Sequence, residues 1–269
     1  MRGDTEAARP QPAPSGQLRG YAICAEQRSG SSYLCQVLAS TGVLGRPLEY
    51  FNGPGTAAFQ PGYPQGAEDQ LREIIGQGAT GNGVYGVKLF SADFDRLAAI
   101  RWTERLPNLH FVWLNRGDLL GQAISVTRAE QTNQYSSDVG AMAEPYYDPA
   151  HITRSLHRLA WAQARWAAFF ARCGLAPLLL DYEDVVSDQQ ATADRVARLV
   201  GLDGPVTVDP DQVYARVQRD TVSETWRARF VAEALDPCFL DKPLPPSKAA
   251  RIFRAIERKL LRGQRRPRA

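Results

Sequence analysis

The strongest fold signal in this chain lies in residues 20–38, which read Gly20-Tyr-Ala-Ile-Cys-Ala-Glu-Gln-Arg-Ser-Gly-Ser-Ser-Tyr-Leu-Cys-Gln-Val-Leu38. An apolar run, Tyr21–Ala25, is followed by a polar turn and then by apolar residues at helical spacing. This order predicts a β-strand, a tight loop and an α-helix. Such a loop aims backbone N–H groups and the positive end of a helix at one point, where an anion can bind.

The loop and the first residues of the helix, Arg28–Ser32, carry groups suited to an anion, and we call this segment the cradle. Gly30 lets the backbone approach a ligand closely, and Arg28 adds a fork of charge-assisted donors. Hydroxyl donors come from Ser29, Ser31 and Ser32. We interpret the cradle as a phosphate-type site; the alternative is an ordinary strand–helix turn capped by serines.

Length and composition indicate one large α/β domain. The chain has 269 residues, of which 44% are hydrophobic and 23% charged. No apolar run approaches the roughly 20 residues needed to span a bilayer. Residues 1–18 contain no apolar segment, so we expect a disordered tail and no secretory signal. The main domain is expected over residues 19–245, followed by a basic C-terminal helix and tail over 246–269.

The cysteines give no sign of a metal or redox site. They form no Cys-x-x-Cys pair, and they are Cys24, Cys35, Cys173 and Cys238. With no export signal, we expect reduced structural thiols and a cytoplasmic protein.

Charge is distributed unevenly along the chain. Residues 245–269 contain nine Lys or Arg and one acid, a net charge of +8, so the remainder carries −5 of the overall +3. The body therefore gives no support for nucleic-acid binding. The basic helix predicted at 247–261 suits weak contact with an anionic membrane surface or a dimer contact. The alternative is a last helix packed on the domain.

Strand and helix signals alternate along the rest of the chain, which predicts a central parallel sheet flanked by helices. Further strands are expected at 83–90, 110–115 and 177–181. Helices are expected at 68–76, 94–106, 118–134, 152–173 and 188–200, with a last one opening on the capping box Thr221-x-x-Glu224. Residues 53–67 and 135–149 are interpreted as loops, the second long enough for a lid or substrate loop.

A second group of polar residues follows the third strand. Arg116 ends that strand, and Gln122, Ser125 and Arg128 recur at three-residue spacing on the next helix. Ligands of open parallel sheets bind at the carboxyl ends of strands, so two anion sites on one edge predict a ligand with two separated phosphates. The alternative is a solvated helix face that begins with an arginine.

Four segments together resemble the mycobacterial trehalose sulfotransferase family, over about residues 20–230. They are Gln27-Arg-Ser-Gly-Ser-Ser32, Thr41-Gly-Val-x-Gly-x-Pro-x-Glu49-x-Phe51, Gly83-Val-Tyr-Gly-Val-Lys-Leu89 and Arg116-x-x-x-x-x-Gln-Ala-x-Ser125. The resemblance implies a P-loop NTPase-like sulfotransferase fold, 3′-phosphoadenosine-5′-phosphosulfate (PAPS) as co-substrate with no metal, and a homodimer.

The resemblance also implies roles for individual residues. The cradle would hold the 5′-phosphosulfate, with Arg28 where most sulfotransferases have a lysine. Arg116 and Ser125 would bind the 3′-phosphate. Glu49 would be the general base that deprotonates an acceptor hydroxyl; without the resemblance, an exposed loop glutamate is the alternative. The chain's three histidines lie away from the cradle in sequence, which favours Glu49; they are His110, His151 and His157.

Two further basic residues are candidates for the site. Lys88, at the end of the second strand, is expected to face the sulfate, or else to reach solvent. Arg219 is a candidate for the nucleotide. Aromatic residues near the expected mouth of the site suit sugar stacking or packing, namely Tyr50, Phe51, Tyr146 and Tyr147.

The sequence therefore predicts a PAPS-dependent sulfotransferase acting on a hydroxyl of a carbohydrate or glycosylated small molecule. One alternative is a small-molecule kinase with a degenerate P-loop, although the Walker A pattern is absent. The other is a protein that binds a glycan or 3′-phosphoadenosine-5′-phosphate (PAP) without turnover.

Overall fold

A computed structural model describes residues 18–58, 60–135, 140, 142–215 and 220–233. The chain divides into two units, Met1–Phe230 and Val231–Ala269, and the sheet and the candidate site both lie in the first. The expected N-terminal tail, except its last residue, and the basic C-terminal helix lie outside the described residues, as does Arg219.

A parallel four-stranded sheet forms the centre of the described chain, as the sequence predicts. Its strands are β1 (Arg19–Ala25), β2 (Val84–Phe90), β3 (Leu109–Asn115) and β4 (Leu178–Asp181), in the spatial order β2-β1-β3-β4. Ala22 of β1 lies opposite Val87 of β2 and Phe111 of β3. Because β1 and β3 are neighbours and parallel, the segments that follow them leave the same edge of the sheet side by side.

Helices connect the strands. In chain order they are α1 (Ser31–Ser40), α2 (Gly53–Ala57), α3 (Ala67–Gly76), α4 (Phe94–Ala98), α5 (Trp102–Arg105), α6 (Leu119–Thr132), α7 (Pro149–Cys173), α8 (Tyr182–Ser187), α9 (Gln189–Leu199) and α10 (Thr221–Ala232). Single 3₁₀ turns occupy Ser91–Asp93 and Pro210–Gln212.

The two faces of the sheet carry separate hydrophobic cores. Side chains alternate along a strand, so Tyr21, Ile23 and Ala25 enter one core and Ala22 and Cys24 the other. The first core packs against α1 and α9 and the second against α3, α5 and α7. The second core is rich in aromatic rings, among which Trp166 and Phe170 of α7 stack with centroids 6.0 Å apart. The sheet is therefore covered on both faces, as predicted.

The start of α6 and the end of α7 lie close to the predicted bounds, and local geometry explains both. Asp118 accepts a hydrogen bond from the Gly121 N–H at 2.9 Å and so caps the start of α6. Gly174 closes α7 with φ 63°, a left-handed conformation that glycine adopts without steric cost.

Three predictions about local structure are wrong. The helix expected at 94–106 is two short helices, because Arg101 has φ 49° and interrupts it. The cap of α10 is Asp220, which accepts from the Ser223 N–H, and not the Thr221 capping box. The loop expected at 53–67 contains α2, whose start is capped by Asn52.

Candidate active site

The cradle lies where β1 gives way to α1. The Ser29 N–H donates to the Glu26 carbonyl at 3.2 Å and closes the turn, and Gly30 takes φ 86° as the residue before α1. Gly30 has no side chain that could accept a hydrogen bond from the first N–H groups of α1. In the described part of the chain, no side-chain hydrogen bond caps this end of the helix. The N-cap position of α1 is therefore occupied by a glycine and not by a serine. The free end of α1 gives a partial positive charge, suited to an anion.

Arg28 reaches out of the cradle towards α6. Its backbone has φ 60°, in the left-handed region. Its Nε donates to Ser125 Oγ at 2.9 Å and its Nη1 to the Tyr135 carbonyl at 2.8 Å. Burial lowers the pKa of Arg28, and repulsion from Arg116 and Arg128 lowers it further. Clustered positive charges of this kind are stabilised by a bound anion.

Arg116 and Gln122 tie the end of β3 and α6 to the backbone of the cradle loop. Arg116 Nη1 donates to the Arg28 carbonyl at 3.0 Å, and Gln122 Nε2 donates to the Gln27 carbonyl at 2.8 Å. The Arg116 guanidinium also lies 5.1 Å from the centre of the Tyr182 ring. The two anion sites predicted from sequence are therefore joined by direct contacts.

Three buried polar atoms in this region have no hydrogen-bond partner among the described residues: Ser29 Oγ, Arg116 Nε and Gln122 Oε1. Their residues line one small cavity of about 10 Å³ beside Trp166. Buried polar groups are normally paired, so two donors, Ser29 Oγ and Arg116 Nε, and one acceptor, Gln122 Oε1, left unpaired within the described residues mark a polar spot at this edge of the sheet.

Glu49 lies beside Lys88 and α1. Its Oε1 is 2.8 Å from Lys88 Nζ, and its Oε2 accepts a hydrogen bond of 2.9 Å from Asn52 Nδ2. Lys88 Nζ also contacts Ser32 Oγ at 3.1 Å. Lys88 lies within β2 and is buried, so the alternative of a solvent-exposed lysine is wrong. Glu49 is only partly exposed, with 29% of its side chain accessible.

The Glu49–Lys88 pair shifts the pKa of both residues. Burial raises the pKa of Glu49, but attraction to Lys88 and the bonds from Lys88 and Asn52 outweigh it, so the pKa falls below its ordinary value. Burial lowers the pKa of Lys88, but Cys35 and Glu49 outweigh it, so the pKa rises. Both groups are therefore ionised at neutral pH.

Glu26 is a residue of this region that the sequence did not single out. Its Oε1 accepts from the Ser91 N–H and from Trp166 Nε1, each at 3.0 Å. Burial raises the pKa of this carboxyl group, partly offset by these bonds and by Arg165. Glu26 therefore fixes the start of the cradle loop to the end of β2 and to α7.

Tyr182 was also missed. A Cβ built on Gly30 would overlap the Tyr182 ring, so the ring packs directly on the cradle glycine. The residue opens α8, directly after β4. An aromatic residue at a strand end could have been noticed in the sequence, although its contact with Gly30 could not.

The aromatic residues expected at the mouth of the site separate into two groups. Tyr50 and Phe51 are core residues, each 1% exposed, as the packing alternative predicts. Tyr147 packs edge-on against Trp226 at 5.9 Å, while Tyr146 is exposed. Only Tyr146 is accessible enough to meet a sugar in solution.

The described part of the chain shows neither a metal cluster nor a membrane-spanning helix. Across the described residues, no group of three or more His, Cys, Asp or Glu is arranged to hold a metal ion. None of the described helices is long and apolar enough to cross a membrane. Cys24 and Cys35 are buried free thiols, and Cys173 is an exposed one.

Comparison with known proteins assigns the class. The sequence model of the family described as Stf0 sulphotransferase matches residues 20–233. The trehalose 2-sulfotransferase of Mycobacterium tuberculosis (strain ATCC 35801 / TMC 107 / Erdman) is 26% identical, over 82% of this chain and 97% of that protein. The enzyme of the same name from Mycolicibacterium smegmatis (strain ATCC 700084 / mc(2)155) is 27% identical, over 80% of this chain and 95% of that one.

Solved structures give more distant matches. A sulfotransferase from Alicyclobacillus acidocaldarius has a TM-score of 0.44 at 15% identity, covering 80% of this chain and 92% of its own. The sulfotransferase domain from the curacin biosynthetic pathway has a TM-score of 0.45 at 16% identity, covering 90% of this chain and 98% of its own.

The class is thus an α/β enzyme that transfers a sulfuryl group to a hydroxyl. The match over residues 20–233 places the chain in the Stf0 sulphotransferase family.

Proposed function

We propose that this sulfotransferase uses PAPS as donor, with Glu49 as general base, and that its acceptor is a carbohydrate or a glycosylated small molecule. The observation that carries the proposal is that Lys88 links Glu49 to the cradle. Lys88 Nζ contacts both Glu49 Oε1 and Ser32 Oγ. In-line transfer requires a base for the attacking hydroxyl on one side and charge stabilisation for the leaving phosphate on the other.

The cradle fits the donor by its chemistry. The free N–H groups of α1 and the unpaired Ser29 Oγ are donors for the 5′-phosphosulfate end. Arg116 and Ser125 form a second donor set for the 3′-phosphate, next to Arg28 of the cradle, and Arg116 Nε is an unpaired donor of that set. We keep Arg219 as a further candidate for the nucleotide, although it lies outside the described residues.

Bound PAPS would supply an activated sulfuryl group with PAP as a stable leaving group. Glu49 accepts the proton of the acceptor hydroxyl as that oxygen forms its bond to sulfur. The electron pair of the broken S–O bond remains on the 5′-phosphate, next to the donors of the cradle. The homodimer stays a prediction from the family resemblance.

Ligand-dependent melting tests the donor first. At 100 times its dissociation constant, PAP should add roughly 2.7 kcal/mol to stability, a shift of a few degrees, and Arg116→Ala should reduce the shift. A shift with ATP and magnesium and none with PAP would replace this proposal by the kinase alternative.

Transfer assays then test the base. Because both named relatives are trehalose 2-sulfotransferases, trehalose is the first acceptor to assay with PAPS, followed by a panel of glycosides. Glu49→Gln should lower the transfer rate by roughly 10²–10⁴-fold and leave PAP binding unchanged. Glu104→Gln removes an exposed carboxylate and is the matched control. Full activity in Glu49→Gln, or PAP binding without transfer to any acceptor, would contradict the proposal.

A further inference from the structure

Lys88 connects two parts of the site that perform different tasks. Its ammonium group lies 2.8 Å from Glu49 Oε1 and 3.1 Å from Ser32 Oγ, and 5.6 Å from the centre of the Phe90 ring. The titratable groups that influence it are Glu49 and, on α1, Cys35. One buried cation therefore lies between the proposed base and the proposed donor site.

Both oxygens of Glu49 are engaged. Lys88 holds Oε1 and Asn52 holds Oε2. A carboxylate stabilised by an ammonium ion and a second donor is a weaker base than one that has lost one of them. The arrangement keeps Glu49 ionised and oriented but holds down its affinity for a proton.

Arg28 extends in another direction. Its side chain bonds to Ser125 and to the Tyr135 carbonyl, on the α6 side of the cradle. Lys88 approaches from β2 and contacts the cradle at Ser32, on the side where Glu49 lies. A lysine ammonium is a compact charge with three donors on a flexible stem, so it can exchange partners with a small rotation.

From these contacts, and resting on the function proposed above, we propose that Lys88 couples donor binding to the strength of the base by exchanging the Glu49 carboxylate for the sulfuryl group. Without donor, Lys88 holds the Glu49 carboxylate. When the anionic sulfuryl end of a donor is bound at the cradle, Lys88 turns its ammonium towards that charge, and its attraction to Glu49 weakens. Glu49 then becomes a stronger base when there is a sulfuryl group to transfer.

PAP and PAPS provide a comparison that isolates this coupling, because PAP lacks the sulfuryl group. The protonation of Glu49 can be followed by infrared titration of its carboxylate band, identified by its loss in Glu49→Gln. In the wild-type protein, the pKa of Glu49 should be higher in the complex with PAPS, without acceptor, than in the complex with PAP. Equal values in the two complexes would overturn the proposal.

Substitution of Lys88 gives a second readout. Lys88→Met should leave PAP affinity within about threefold and lower the transfer rate at least about 100-fold, because the sulfuryl group loses the ammonium charge although Glu49 becomes more basic. In this variant, the difference in Glu49 titration between the two complexes should disappear. Arg101→Met, which removes an exposed cation paired with Glu104, is the control and should change neither measurement. Transfer at the wild-type rate in Lys88→Met would also overturn the proposal.

Lys88→Arg keeps the test decisive if the methionine variant does not fold. It retains the charge but replaces the compact donor by a planar one, so it should bind PAP, transfer slowly and show a reduced titration difference. Failure of the donor assignment looks different, since neither PAP nor PAPS would then bind. Failure of the coupling alone leaves binding and transfer intact, with no difference between the complexes.

Discussion

Arg28 Nε donates a hydrogen bond of 2.9 Å to Ser125 Oγ, between residues 97 positions apart in sequence. The bond joins the loop after β1 to the helix after β3. The cradle and the α6 donors are therefore one continuous surface, and a ligand that bridges them would meet both donor sets at once.

Ser125→Ala should weaken PAP binding by roughly tenfold, equivalent to about 1.4 kcal/mol, because Arg28 loses the acceptor that orients it. Isothermal titration calorimetry measures the change directly. Ser187→Ala, which removes a hydroxyl bonded to the Asp184 carbonyl, is the control. Unchanged PAP affinity in Ser125→Ala would separate this serine from the nucleotide site.

Gly30→Ala should be severely destabilising for two reasons. A residue with a side chain at φ 86° costs about 1–2 kcal/mol, and the added Cβ would overlap the Tyr182 ring. Chemical denaturation should show a loss well above that backbone cost.

Gly62→Ala separates the two contributions. Gly62 has φ 82° and nothing within 4 Å of an added Cβ, so its substitution should cost only the backbone term of about 1–2 kcal/mol. Equal losses at Gly30 and Gly62 would show that Tyr182 yields without cost.

Glu26→Gln should change how stability depends on pH. Burial raises the folded-state pKa of Glu26, so the folded protein binds more protons than the unfolded chain between the ordinary value of 4.5 and the raised value. Stability therefore falls as pH rises through that window.

Glutamine preserves the acceptor for Ser91 and Trp166 and removes the charge, so the fall should be smaller in Glu26→Gln. Urea unfolding from pH 4 to pH 7 measures it, with Glu68→Gln at an exposed site as control. An identical pH dependence in Glu26→Gln and wild type would refute a raised pKa of Glu26 in the folded protein.

Asp220→Asn should loosen the start of α10 at neutral pH. The bond from Arg128 is the largest cause that lowers the pKa of Asp220 to about 2. A depressed carboxyl pKa contributes stability above the unfolded value of 3.8, and that contribution is lost as pH falls towards 2.

At pH 7, Asp220→Asn removes the same carboxylate charge that acid would remove. The start of α10 should therefore open more often, and amide hydrogen exchange in residues 221–230 should accelerate. Asp203→Asn removes an exposed carboxylate and serves as control. Unaltered exchange would mean that Arg128 does not hold the helix through this carboxylate.

The sheet and the cradle could be predicted because their signals are local. The apolar run Tyr21–Ala25, the polar turn with Gly30 and the helical spacing after it all involve neighbouring residues. The hydrogen bond by which Asp118 caps α6 also joins residues that are close in sequence.

Contacts between distant segments could not be predicted. Nothing near Glu26 in sequence indicates Trp166, and nothing near Gly30 indicates Tyr182. For Tyr50 and Phe51 the sequence left sugar stacking and packing both open for the same reason, because a loop position does not reveal which core it covers. Lys88 was expected to face the site, but its ion pair with Glu49 depends on how the segment after α1 returns to β2.

Main-chain contacts join the segment after α1 to β2. Leu48 forms a parallel bridge with Val87, and its carbonyl accepts from the Lys88 N–H at 2.9 Å. The main chain thus sets the spacing between the acid and the ammonium, so neighbouring side chains can be exchanged without moving either. For an engineer, the pairing of Glu49 with Lys88 is therefore fixed by main-chain hydrogen bonds, and an exposed side chain such as that of Leu48 can be varied while the pair stays in register.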